Sequence, residues 1–125
     1  VVRLVGSEMC IRDSDIGFLK GSLDEVLEKQ LFREFYYHKI GHWMGLDVHD
    51  DCPYSLDAEE IKFEKGMVMT IEPGIYINET AEVDDKWKGI GIRIENDILI
   101  TDDGFENLTS KVPVEIDDIE NLMNS

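Results

Sequence analysis

The chain is poor in basic residues, cysteine, proline and long apolar runs, and each shortage excludes something. Twelve Lys and Arg stand against 28 Asp and Glu, a formal charge of −16 with no basic cluster. A phosphate backbone or an anionic leaflet is bound through such clusters, so nucleic-acid and membrane-surface roles are excluded. No apolar stretch approaches the roughly 20 residues that span a bilayer, and no charged-then-apolar leader precedes the first helix signal. A soluble, cytoplasmic chain is expected. Two cysteines, Cys10 and Cys52, do not make a disulfide framework, and free thiols in a reducing cytosol are the simpler reading. What is present is 42% apolar residues in a mixed charge pattern. A chain of this kind buries about two thirds of its unfolded surface as one compact domain.

The opening segment, Val1 to Ser14, carries neither helical nor strand periodicity, and no turn signal ties it to the rest of the chain. Leu4 to Asp13 resembles one reading frame of a sequencing adapter, so residues 1–14 are expected to be a non-native leader and 15–125 the natural segment. Removing them takes away Arg3, Arg12, Glu8 and Asp13 and leaves the net charge unchanged.

From there the order is clear. Ser22-Leu23-Asp24-Glu25 has the form of a capping box, and Leu23, Val26, Leu27, Leu31 and Phe35 recur at helical spacing. The pattern predicts a helix from 23 to about 34 that buries this face. At Met67 the period changes to two, with Met67, Met69 and Ile71 on one face and Val68, Thr70 and Glu72 on the other. Pro73 forces the strand to end or bulge. A second alternation runs through Ile90, Ile92, Ile94, Ile98 and Ile100 as a continuous apolar face, ending at Asp102-Asp103-Gly104. Residues 78–89 read as a solvated acidic loop, and a short helix with Ile116, Ile119 and Leu122 on one face comes after Pro113. The fold class is α+β, antiparallel strands with flanking helices.

The chemistry-bearing residues cluster. All three histidines, His38, His42 and His49, fall within twelve positions. A spacing of four puts His38 and His42 on one face of either a helix or a strand, and the aromatic run 35–38 suits a strand. Glu72 closes an apolar strand, and Glu95 sits in the most β-branched segment of the chain. Carboxylates are depleted in such strands and need partners when buried. Two readings of Glu95 stand: an ion pair with Arg93 or an exposed sheet face, and a cation held by His42, Glu72 and Glu95. One His and two carboxylates do not enclose an ion by themselves. Without thiolates, unless Cys52 contributes, the donor set favours Mn²⁺, Zn²⁺ or Co²⁺. A serine or cysteine triad lacks the surrounding residues it needs.

The stretches His38–Asp50, Gly66–Tyr76 and Gly89–Glu95, with Glu106-Asn107-Leu108-Thr109 and the segment from Val112 to Ile119 behind them, resemble the catalytic domain of Xaa-Pro aminopeptidase, a pita-bread metallopeptidase. The resemblance implies the C-terminal part of that domain. It implies two divalent metal ions, most simply Mn, with His42 and Glu72 ligands to one metal and Glu95 bridging the two. Two cations about 3.5 to 4 Å apart would yield a hydroxide near neutral pH, to attack the carbonyl before a proline in the second position of a peptide. His49 would stabilise the oxyanion, His38 orient the substrate, Glu72 relay the proton and Arg93 anchor substrate or ligand. The imide before proline lacks an amide hydrogen, so recognition would rest on ring shape and the free amino terminus. The parent would be a homo-oligomer.

Two departures qualify this. Lys39 stands where the family commonly has a small residue. The family also supplies two Asp ligands upstream of the helix, and nothing before Ser22 matches them, so the chain as written is expected to be an inactive fragment of an active parent, poorly soluble where sheet surface is uncovered. Prolidase, which cleaves Xaa-Pro dipeptides, shares the fold, although Trp43-Met44-Gly45 and Gly91-Ile92-Arg93 lean towards the aminopeptidase. A catalytically dead domain used for binding is the third reading.

Overall fold

The computed structural model describes residues 17–125. The leader expected over residues 1–14, Cys10 included, lies outside the described residues. The chain divides into two compact units.

The first unit holds the described residues up to Gly41, and Glu72–Arg93. Helix α1, Leu23–Glu28, starts where Ser22 takes an extended conformation and its hydroxyl accepts the Glu25 amide at 3.2 Å. The helix is shorter than the periodicity predicts. Gln30 adopts a left-handed conformation at φ 53°, and residues Leu31–Glu34 continue only as a 3-10 turn. That break shifts the register. Val26 and Phe35 are buried and Phe32 packs beside them, while Leu23, Leu27 and Leu31 stay exposed. The aromatic run 35–38 continues as loop, not strand. The core comprises Phe18, Leu19, Val26, Phe35, Ile77 and Ala81, with Ile75 and Val83 against it. Ala81 and Val83 belong to the acidic stretch expected to be a solvated loop. Its carboxylates are exposed, but Ala81 and Val83 turn inward. A 3-10 turn at Asp85–Trp87 sets the Trp87 ring edge-on to Phe18 at 5.7 Å.

Strands β4 (Gly74–Tyr76) and β5 (Gly91–Arg93) complete this unit as an antiparallel pair, Gly74 opposite Arg93 and Tyr76 opposite Gly91. Gly74 has no room for a side chain: a Cβ there would meet the Tyr76 hydroxyl at 2.8 Å and the Ile92 carbonyl at 3.1 Å.

The second unit holds His42–Ile71 and Ile94–Ser125. A short hairpin pairs β1 (Ser55–Leu56) with β2 (Glu59–Glu60). The main sheet is antiparallel in the order β3 (Val68–Ile71), β6 (Asn96–Ile100), β7 (Phe105–Asn107). On its free edge, residues 42–44 add a short rung, with Trp43 opposite Met69. Met69, Trp43 and Ile98 are buried together, and Met67, Ile71 and Ile100 pack beside them. The period-two face read from the sequence is therefore the core face. β3 stops at Ile71, two residues before Pro73, because proline offers no amide to the ladder.

The second isoleucine alternation is not one strand. It breaks between Arg93 and Asn96, and Ile92 and Ile94 are exposed, so the continuous apolar face becomes a buried half around Ile98 and a wet half before it. Helix α2, Ile116–Met123, forms where predicted, with Ile116, Ile119 and Leu122 exposed. Among the described residues no helix is long and apolar enough to cross a membrane.

Candidate metal centre

In the first unit the site residues form one hydrogen-bonded relay. Glu72 is 6% exposed, and its amide donates to the Ile40 carbonyl at 2.8 Å. Arg93 Nη1 donates to Glu72 Oε2 at 3.0 Å, and Arg93 Nε to the Tyr76 hydroxyl at 2.7 Å. His38 Nδ1 lies 2.7 Å from the Lys39 carbonyl. A carbonyl only accepts, so Nδ1 carries the proton, and in the neutral ring Nε2 accepts from the Tyr76 hydroxyl 2.8 Å away. Tyr76 thus accepts from Arg93 and donates to His38. Both nitrogens of His38 are engaged within this unit, so any role in orienting a substrate has to work with the Tyr76 bond.

Tyr36 packs against the His38 ring, centroids 4.6 Å apart. Its hydroxyl is buried without a hydrogen-bond partner among the described residues. Burial first, and then the Glu72 carboxylate, push this phenol up to about 12, against the opposing pull of Arg93.

In the second unit His42 Nδ1 lies 2.9 Å from the Trp43 carbonyl. The same reasoning places the proton: Nδ1–H donates, and in the neutral ring Nε2 carries the lone pair. This is how a metal-binding imidazole is usually oriented. A ring nitrogen of His42 and a carboxylate oxygen of Glu95 approach within 4.8 Å. Glu95 is exposed, at the break before β6. His49 comes alongside, its ring centroid 4.3 Å from that of His42. The turn that returns it is tight: a Cβ on Gly45 would overlap the Asp50 carboxylate, and the Asp50 amide donates to the Trp43 carbonyl at 3.1 Å. The donor chemistry fits a divalent cation of borderline character, with imidazole and carboxylate and no thiolate. Cys52 is an exposed free thiol.

Of the residues read from the sequence, His42, His49 and Glu95 come together in the second unit, and His38, Glu72 and Arg93 in the first. Tyr76 and Thr70 were given no role by that reading. Tyr76 sits two residues past Gly74 on β4, and Thr70 is the one polar side chain in the middle of β3. These are the signals that point to them.

The model of metallopeptidase family M24 matches residues 5–102, and the chain belongs to that family. A curated relative, an Xaa-Pro aminopeptidase of Haemophilus influenzae, is 56% identical over 110 residues, covering 88% of this chain and 25% of the relative. Among solved structures, Pseudomonas aeruginosa aminopeptidase PepP superposes with a TM-score of 0.89 at 42% identity, covering 94% of this chain and 27% of that one. A zinc-substituted Escherichia coli aminopeptidase P in complex with product gives 0.87 at 45% identity, covering 98% and 29%. The architecture is therefore a piece of the pita-bread fold, antiparallel sheets with flanking helices, as the resemblance implied. The chain spans about a quarter of the length of the relatives it matches.

Proposed function

We propose that this chain is the C-terminal part of the catalytic domain of a dinuclear-metal Xaa-Pro aminopeptidase, with His42, Glu72 and Glu95 as metal ligands. The observation that carries the reading is His42. Its Nδ1–H is tied to the Trp43 carbonyl, so the remaining nitrogen is the one with a lone pair, and the Glu95 carboxylate approaches the ring within 4.8 Å.

Bound divalent ions, Mn in the first instance and Zn or Co in its place, would supply an acidified water and polarise the scissile carbonyl. This chain's residues supply the rest. Glu72 takes the water's proton and passes it on, and Arg93 holds Glu72 in place while being fixed by Tyr76. His49, beside His42, donates to the oxygen on which charge develops. His38 orients the substrate, a peptide with proline in second position. The setting is cytoplasmic and the parent is a homo-oligomer.

Two Asp ligands are required that residues 15–125 do not offer, so the chain by itself binds a cation but does not turn over. Titration calorimetry with Zn²⁺ and with Mn²⁺ tests the first part: His42→Ala and Glu95→Gln each weaken binding at least tenfold, and unchanged affinity in both refutes the ligand set. Release of the N-terminal residue from an Xaa-Pro peptide by the purified chain with Mn²⁺ would refute the second.

A further inference from the structure

We propose that Thr70 is a positioning residue for His42, setting through its hydroxyl the backbone from which that imidazole projects. The inference rests on the reading of His42 as a metal ligand.

On the free edge of the main sheet, the Met44 amide donates to the Val68 carbonyl at 3.0 Å and the Thr70 amide to the His42 carbonyl at 2.9 Å. These two bonds flank the Trp43–Met69 bridge and make His42 and Thr70 directly opposed partners. In a regular antiparallel ladder such partners exchange both backbone bonds. Here the return bond is of another kind: the His42 amide donates to the Thr70 hydroxyl oxygen at 3.0 Å. A side-chain oxygen thus accepts at the residue where the metal donor is carried.

Thr70 is 0% exposed, so water does not reach the accepting residue. It lies in β3 between the edge segment 42–44 and β6, opposite Asp97. As a β-branched residue in a strand its rotamer is restricted. The oxygen is therefore held at one place, and with it the His42 amide. The Nδ1–H bond to the Trp43 carbonyl then fixes the ring relative to the same rung. Rotation of the His42 peptide would carry the ring away from the Glu95 carboxylate, which lies within 4.8 Å of one of its nitrogens. Only serine or threonine keeps this acceptor. Valine has nearly the same shape and removes this acceptor.

The test compares Thr70→Val with Thr70→Ser in the full chain, with Thr70→Ala as a second hydroxyl-free variant should valine unfold it. Ile98→Val serves as a control that loosens the same sheet without touching the rung. Two readouts are taken: Zn²⁺ affinity by calorimetry, and the His42 ring tautomer in the metal-free chain by long-range proton–nitrogen NMR. Supporting outcomes keep serine and the Ile98→Val control within about twofold of the parent affinity, while the hydroxyl-free variant loses tenfold or more, the range seen when groups that orient metal ligands are removed. The NMR should show His42 losing its single Nδ1–H tautomer in that variant alone. Equal affinity in the serine and hydroxyl-free variants, or an unaltered tautomer in the latter, overturns the proposal. If the parent chain takes up no Zn²⁺, the ligand reading has failed. The tautomer then decides whether Thr70 still positions His42.

Discussion

Arg93 and Glu72 supply the sharpest quantitative expectation. The Glu72 side chain is 8% exposed and that of Arg93 45%, with Nη1 and Oε2 3.0 Å apart. A hydrogen bond between charged groups contributes about 1.5–3 kcal/mol when water is excluded. Here one partner is nearly half in solvent, which screens the pair, so a coupling of about 1.5 kcal/mol is expected. Arg93→Leu also removes the donor to the Tyr76 hydroxyl, worth about 1 kcal/mol more. The single variant should therefore lose about 2–3 kcal/mol. The assay is a double-mutant cycle of Arg93→Leu and Glu72→Gln, read by urea unfolding at pH 7 in low and high salt. Because Glu72 is buried, most of the coupling should persist at about 0.5 M salt. The exposed pair Lys65–Asp102, put through the same cycle, should give below about 0.5 kcal/mol and vanish in salt. A coupling below about 0.3 kcal/mol for Arg93 and Glu72, or one that disappears in salt, would refute the reasoning.

Tyr36→Phe should alter the alkaline limb of stability. The folded phenol is pushed up to about 12 while the unfolded one ionises near 10, so stability is intact below about pH 10 and falls as pH rises towards 12. Urea unfolding between pH 7 and 11.5 should show that limb reduced in the variant, with stability at pH 7 within about 1 kcal/mol because the hydroxyl lost had no partner among the described residues. Val26→Ala, at a fully buried position in the first unit's core, should cost about 2 kcal/mol; a loss under about 0.5 kcal/mol would mean that this core is not packed around Val26. Gly74→Ala should push the Tyr76 hydroxyl aside at a cost of about 1–3 kcal/mol, and NMR of His38 should report the loss of its Nε2 partner; an unperturbed His38 would contradict the relay.

The sequence was most legible where one physical rule acted alone. The two faces of β3 came from period-two alternation, its end from Pro73, and the start of α1 from the Ser22 cap. It was least legible where a rule met a local exception. Helical periodicity does not show that Gln30 takes a left-handed conformation, and that single residue exchanges Phe32 for Leu31 in the core. Alternating isoleucines do not show that the ladder breaks at Ile94 and Glu95, since the pattern runs unchanged through the break. The rarity of the three histidines and the oddity of two carboxylates in apolar stretches singled out the residues proposed for the site, although both carboxylates lie just outside the strands. Tyr76 and Thr70 are marked only by position, two residues past Gly74 and as the polar residue of β3; their meaning comes from hydrogen bonds to His38, Arg93 and His42 that no spacing rule encodes.

The acidity of the chain takes on a different weight once the ion pairs are sorted. Lys29–Glu25, Lys86–Asp84 and Lys88–Asp85 join residues at most four apart on the surface, and Lys65–Asp102 joins two exposed side chains. Such pairs contribute little and leave the formal charge of −16 as a field that attracts any cation. Attraction of that kind is diffuse and is screened within about 8–10 Å at ordinary salt. A site is distinguished by what the field cannot supply: a neutral nitrogen with its tautomer fixed, as in His42, and a carboxylate brought close to it, as in Glu95. Raising salt should therefore strip loosely held cations while sparing most of the affinity that His42→Ala abolishes. If salt alone removes all Zn²⁺ binding, the surplus of acids was the whole cause and the ordered donors contribute nothing.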